Sequence, residues 1–175
     1  MKREEFNINI PRMGFFIVVK GRNDFISCQI KKAQREAGFS EEDSQYTHVM
    51  TSGGGQWAVS AVMPKLKVVD ITKAYRKRYI KIVAYKGRNY MLKKRYKVAF
   101  WAATLNHSRY DWLGVLRFKI RWLFNKKDWW FCSESCLYAL QKEYPHALHK
   151  KPAECMPADF LNKDYFRIVW EGVIP

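Results

Sequence analysis

No stretch of this chain reaches the roughly 18 consecutive apolar residues that a membrane-spanning helix needs. The best run is Met13 to Val19. The N-terminus also lacks the apolar core of a secretory leader. Met1-Lys2-Arg3 is followed by Glu4-Glu5, and Pro11 comes soon after. The expectation is therefore synthesis and first folding in a reducing cytoplasm, without a signal peptide. Cysteine is scarce: Cys28, Cys132, Cys136 and Cys155 are the whole set. In a reducing compartment they read as thiols, not as a disulfide framework. Internal repeats and linkers are absent. Acid is in short supply too: 16 Asp+Glu face 32 Lys+Arg, a formal net charge of +16.

What is present excludes disorder. Hydrophobic residues make up 48% and aromatics 16%, enough for a real core. A length of 175 residues suits one domain, 1–175, and argues against a two-domain enzyme. The charge excess asks for an anionic partner, because self-repulsion of this size costs stability. Nucleic acid, an anionic membrane and a cell-wall polymer all qualify.

Residues 13–19 read as a buried strand and Lys20–Asp24 as a polar turn. From Phe25 to Ala37, Phe25, Ile26, Ile30, Ala33 and Ala37 recur at helical spacing, and Gly38 stops that helix. Glu41–Ser44 reads as a polar loop. Tyr46–Thr51 and Gln56–Val62 form a hairpin, with Ser52-Gly53-Gly54-Gly55 supplying the positive φ angles of the reversal. Val68–Ile71 and Tyr79–Tyr85 are further strands, and residues 89–100 fit either a helix or a strand. Helices follow at Tyr110–Phe124 and from about Cys132 to Glu143, and residues 165–173 close the chain as a strand. The pattern is α+β with an antiparallel sheet.

One constellation carries chemistry. Phe131-Cys132-Ser133-Glu134 opens a helix, so Cys132 sits where unpaired N–H groups favour a thiolate. Ser133 and Glu134 suit the first turn as caps. The alternative is that Cys132 is a small buried core residue. A thiol nucleophile needs a base. Of His48, His107, His146 and His149, only His48 falls in a strand; the other three lie in polar segments. If the hairpin turns near Gly54, opposed positions sum to about 108 and His48 faces Ser60. A histidine oriented by a polar neighbour serves thiol nucleophiles. The alternative is a surface histidine. Cys136, Cys155 and His149 match none of the common zinc spacings, so Cys136 reads as packing behind Cys132, with a resolving thiol as the other reading. No metal and no cofactor is expected.

The order of these blocks resembles the permuted papain-like amidases and peptidases, the circularly permuted branch of the NlpC-type hydrolases (YiiX-like). In that family a histidine strand precedes the cysteine helix. Thr47-His48-Val49 with Gly53-Gly54-Gly55 is similar to its histidine block, Phe131-Cys132-Ser133-Glu134 to its cysteine block, and Pro157-Ala158-Asp159 to its Pro-x-Asp loop. Tyr110-Asp111-Trp112-Leu113-Gly114 matches a segment before the cysteine helix. The resemblance spans about residues 12–170. It implies a papain-like half-barrel packed against the cysteine helix, with Cys132 as nucleophile and His48 as general base. The family's third polar residue, often glutamate, falls at Ser60. A serine orients imidazole but supplies no charge to stabilise imidazolium. The implied activity is a cysteine amidase or peptidase acting on peptidoglycan peptides, and a phage origin would put the protein at the wall by lysis or in a virion. Permuted relatives also include lipid-directed thioesterases and acyltransferases, and Trp57, Trp129 and Trp130 would suit an acyl chain.

The charge has an address. Between Pro64 and Lys97 stand thirteen Lys or Arg and one acid, Asp70, with Tyr75, Tyr79, Tyr85, Tyr90 and Tyr96 interleaved. Such a run binds phosphates and stacks bases, but no nucleic-acid motif accompanies it. It reads as a docking or steering surface for an anionic polymer or membrane. A non-catalytic basic protein that binds nucleic acid or rides in a virion is the remaining alternative.

Overall fold

A computed structural model describes residues 5–111 and 129–175. In chain order the elements are β1 (Phe16–Lys20), α1 (Phe25–Glu36), α2 (Glu41–Ser44), β2 (Tyr46–Gly54), β3 (Trp57–Val62), β4 (Lys65–Asp70), α3 (Ile71–Ala74), β5 (Tyr79–Tyr85), α4 (Leu92–Thr104), β6 (Arg109–Tyr110), β7 (Trp129–Trp130), α5 (Cys132–Gln141) and β8 (Phe166–Val173). The fold is α+β. The strands make one curled half-barrel sheet in the order β7-β6-β4-β3-β2-β1-β5-β8. Among the described residues every pairing is antiparallel except the short β6–β7 contact. Among the described residues no helix is long and apolar enough to cross a membrane.

Local chemistry explains most of these elements. Asp24 caps α1 by accepting the Ser27 N–H at 2.8 Å. The buried face of α1 is Ser27, Ile30, Ala33 and Gln34, whereas Phe25 and Ile26 are exposed, against the expected apolar stripe. Gln34 displaces them because its amide saturates backbone. It donates to the Ser44 and Tyr46 carbonyls at 2.9 and 3.0 Å and accepts from the Ala158 N–H at 2.8 Å. Glu41–Ser44 is a helical turn rather than a loop. The Ser40 hydroxyl accepts the Asp43 N–H, and three acids fill its positive end. Residues 89–100 resolve as α4. The strand expected at Val68–Ile71 begins earlier, at Lys65, and Ile71 already belongs to α3. Of the helix expected over Tyr110–Phe124, Tyr110 ends β6; residues 112–124 lie outside the described residues.

The sheet has two dry faces. Phe16, Val18, Val49, Val59 and Val83 pack toward α4 and α5, with Leu137 and Leu140 fully buried beneath them. Ile17, Val19, Met50, Ala58, Ile80 and Ile82 form the second cluster with Trp170. The alternation in β5 therefore marks two buried faces, not one. Even Lys81 is buried, paired with Glu42 at 3.0 Å and Glu171 at 3.8 Å. Gly14 holds φ +77°, and a Cβ there would stand 2.5 Å from the Arg95 carbonyl oxygen, so α4 lies directly on the chain entering β1.

Candidate active site

The hairpin turns one step later than expected. Thr51 pairs with Val59 and Ser52 with Ala58, so opposed positions sum to 110 rather than 108. Gly54 and Gly55 take the positive φ angles that the reversal needs. His48 lies beyond the last β2–β3 pair, Thr51 with Val59, so no ladder register opposes it to Ser60. His48 Nε2 lies 2.8 Å from Ser60 Oγ.

Ser60 is fully buried and has a second partner, the Tyr75 hydroxyl at 3.1 Å. The Tyr75 ring stacks on the His48 ring, centroids 5.9 Å apart and planes 17° from parallel. The imidazole is therefore held at its edge by Ser60 and on its face by Tyr75. Sequence reasoning placed Tyr75 only among the basic run. It reaches the site because β4 turns into α3, which Asp70 caps through the Thr72 N–H at 2.9 Å. No local pattern signals a contact 27 residues from His48.

Cys132 arrives from the opposite face. The β2–β3 ladder ends at Thr51 and Val59, and Val49 packs on α5. Backbone hydrogen bonding from Val49, Ser133 and Cys132 favours the Cys132 anion. The thiol thus sits against the peptide that follows His48. Among the described residues no hydrogen bond joins it to the imidazole. The structure brings His48 and Ser60 together directly, and brings Cys132 to the His48–Val49 backbone.

Electrostatics set the resting state. Burial pushes the Cys132 thiol up to about 12, and the three N–H groups that favour its anion lose to it. The thiolate expected at a helix start is outweighed by dehydration. Burial, seconded by the Arg78 guanidinium, lowers His48 to about 4. Burial raises the Tyr75 phenol to about 12; its bond to Ser60 opposes that, and charge on Cys132 adds to it. At neutral pH both groups rest uncharged, Cys132 as a thiol and His48 as a neutral imidazole.

The cap assignments at α5 divide. Glu134 accepts the Phe131 N–H at 3.3 Å, a capping contact. Ser133 instead donates to the Cys155 carbonyl and ties α5 to the next loop. That loop is fixed by Asp159, which accepts the Met156 N–H at 2.8 Å and meets Lys150 at 2.6 Å. Cys136 is buried and accepts the Thr51 hydroxyl at 3.4 Å. Cys155 is buried and His149 exposed. Among the described residues no cluster of three His, Cys, Asp or Glu is placed to hold a metal ion. Trp130 packs on Tyr138 at 4.7 Å, Trp129 lies under Arg109 at 5.9 Å, and Trp57 is half exposed. His107, His146 and His149 are on the surface.

No family model matches the chain, and no match to a curated protein is found.

Proposed function

We propose that the protein is a cysteine hydrolase of the permuted papain-like kind that cleaves amide bonds, with peptidoglycan stem peptides as its substrates. Cys132 attacks the amide carbonyl. In the substrate complex the sulfur–imidazole contact, absent at rest, closes, and the thiol proton passes to His48 Nδ1, the ring nitrogen that Ser60 does not engage. The imidazolium then protonates the departing amine, leaving a thioester on Cys132. Water, deprotonated by His48, releases the acid and restores the thiol. Because thiol and imidazole rest neutral, proton transfer accompanies attack. Ser60 accepts from Nε2–H and so fixes the tautomer whose Nδ1 is basic. The backbone N–H groups around the sulfur are candidate donors to the oxyanion. Delivery by lysis or in a phage particle belongs to the same proposal.

The observation that carries this reading is the paired placement of a histidine held through Nε2 by Ser60 and a thiol set against the adjoining Val49 N–H. The test is peptide release from purified cell walls by wild type, Cys132→Ala and Cys28→Ala. Loss of at least ~10³-fold with Cys132→Ala, and none with the exposed Cys28, is the expected result. Equal activity of wild type and Cys132→Ala would sink the assigned nucleophile.

A further inference from the structure

Helix α4 buries Val98, Ala99 and Ala102 against the sheet and α5. An ordinary surface helix would turn a polar face outward. This one does not. Leu92, Tyr96 and Phe100 follow one another at i, i+4 and i+8, and they are 57%, 50% and 61% exposed. Met91, just before the helix, is 70% exposed and extends the ridge. Beside it runs a second row, Lys93 and Lys97, both exposed. The helix contains no acid. Its other cations are turned aside: Arg95 lies over the Phe15 ring at 5.2 Å, and Lys94 over Tyr144 at 4.7 Å. Glu143 approaches Lys97 at 3.7 Å, yet the Lys97 side chain stays 54% exposed. Arg88 adds another exposed cation upstream.

We propose that α4 lies on an anionic lipid bilayer, with Met91, Leu92, Tyr96 and Phe100 in the headgroup boundary and Lys93 and Lys97 on lipid phosphates. An apolar ridge with aromatic members, flanked by lysine, is the pattern of a helix lying in that plane. The other occupants fit less well. A second copy would bring +16 against +16. Four apolar side chains fall far short of the roughly 20–30 residues a side in a standard protein interface. Nucleic acid would reward the lysines but give Leu92 and Phe100 nothing to bury against. This inference stands apart from the thiol chemistry and does not depend on it.

The experiment is flotation of the full chain with vesicles of phosphatidylcholine alone and of phosphatidylcholine with phosphatidylglycerol, with duplex DNA and sizing chromatography alongside. Binding is expected to the mixed vesicles only, and to weaken with salt. Tyr96→Gln with Phe100→Gln should weaken it at least ~10-fold. Lys93→Gln with Lys97→Gln should weaken it by roughly 5-fold per lysine. Both pairs sit on the solvent side, so melting temperatures should hold. Absence of vesicle binding overturns the proposal, as does binding that ignores the Tyr96/Phe100 pair. DNA binding without vesicle binding, or a dimer dispersed by that pair in place of vesicle binding, overturns it as well.

Discussion

The Cys132 site and the outward face of α4 are built on opposite electrostatic terms. Around His48 the contacting side chains, Ser60 and Tyr75, are neutral, and the charge it feels is a cation, Arg78. Burial drives thiol and imidazole apart in pKa until both rest uncharged. On α4 lysines stand in solvent beside apolar side chains. The difference separates two kinds of control. A dry, neutral site answers to pH, because only proton transfer creates charge there. A solvated cationic surface answers to salt, because counterions screen it. The net charge of the chain therefore describes where the protein sits more than what its site does.

The largest expected effect is on stability. His48 holds about 4 in the folded chain against an ordinary 6.5. Between those values the unfolded chain takes up a proton that the folded chain refuses. Stability from this group is whole above about 6.5 and drains as pH falls toward 4. His48 is half-buried, so solvent discounts the loss to about 2–3 kcal/mol. His48→Gln should flatten that window in denaturant titrations while leaving the decline below pH 4 in place. The lower decline belongs to carboxylates held below their usual range: Asp24 by the Ser27 N–H, Glu42 by Lys81 and Asp70 by Thr72. An unchanged slope between 6.5 and 4 in His48→Gln would put the dry site in doubt.

These contrasts also mark what the sequence could show. Strands β1, β2, β3, β5 and β8, the Gly-turned hairpin, α1 and α5 follow from periodicity and turn chemistry, whereas the two-residue β6 and β7 are too short to carry a pattern. The His48–Ser60 contact forms although the expected opposed pairing does not, since the β2–β3 ladder stops at Thr51 and Val59. The direction of the Cys132 shift was misread for a tertiary reason. A helix start is visible in a local pattern, but the packing that dehydrates it comes from β2 and the loop at Cys155. Residues 89–100 stayed ambiguous because Leu92, Tyr96 and Phe100 occupy the face where a helical pattern expects polar side chains. Tyr75 was invisible in its role since a ring's stacking partner is set by topology, not by spacing.

A smaller effect is expected at that ring. Tyr75→Phe keeps the stack on His48 and removes the hydroxyl from Ser60. In the proposed reaction the turnover number should fall roughly 5- to 10-fold, the worth of one hydrogen bond in a buried chain. KM should hold, since Tyr75 contacts the histidine rather than a substrate. A rise in KM with turnover preserved would reassign Tyr75 to binding. Ser60→Ala should do more harm than Tyr75→Phe, as it strips Nε2 of its partner directly.

The smallest effect sharpens the comparison most. Among the described residues, Arg78 is the cation of the basic run that acts on the neutral site, where it opposes imidazolium at His48. Burial is the larger cause of the His48 shift, so Arg78→Gln should recover less than ~1 pH unit of it. The ring would then hold its proton to a slightly higher pH, read directly by NMR titration of His48. In the mechanism proposed, easier imidazolium formation should raise the turnover number by roughly 2-fold at neutral pH, within the few-fold leverage of such a shift. High salt should leave the turnover number nearly unchanged, because charge at the buried ring is little screened, while weakening vesicle binding through Lys93 and Lys97. An unchanged rate with weakened attachment is what two separately governed regions require. If salt moved the rate along with attachment, the surface would be acting through the site, and the separation would fail.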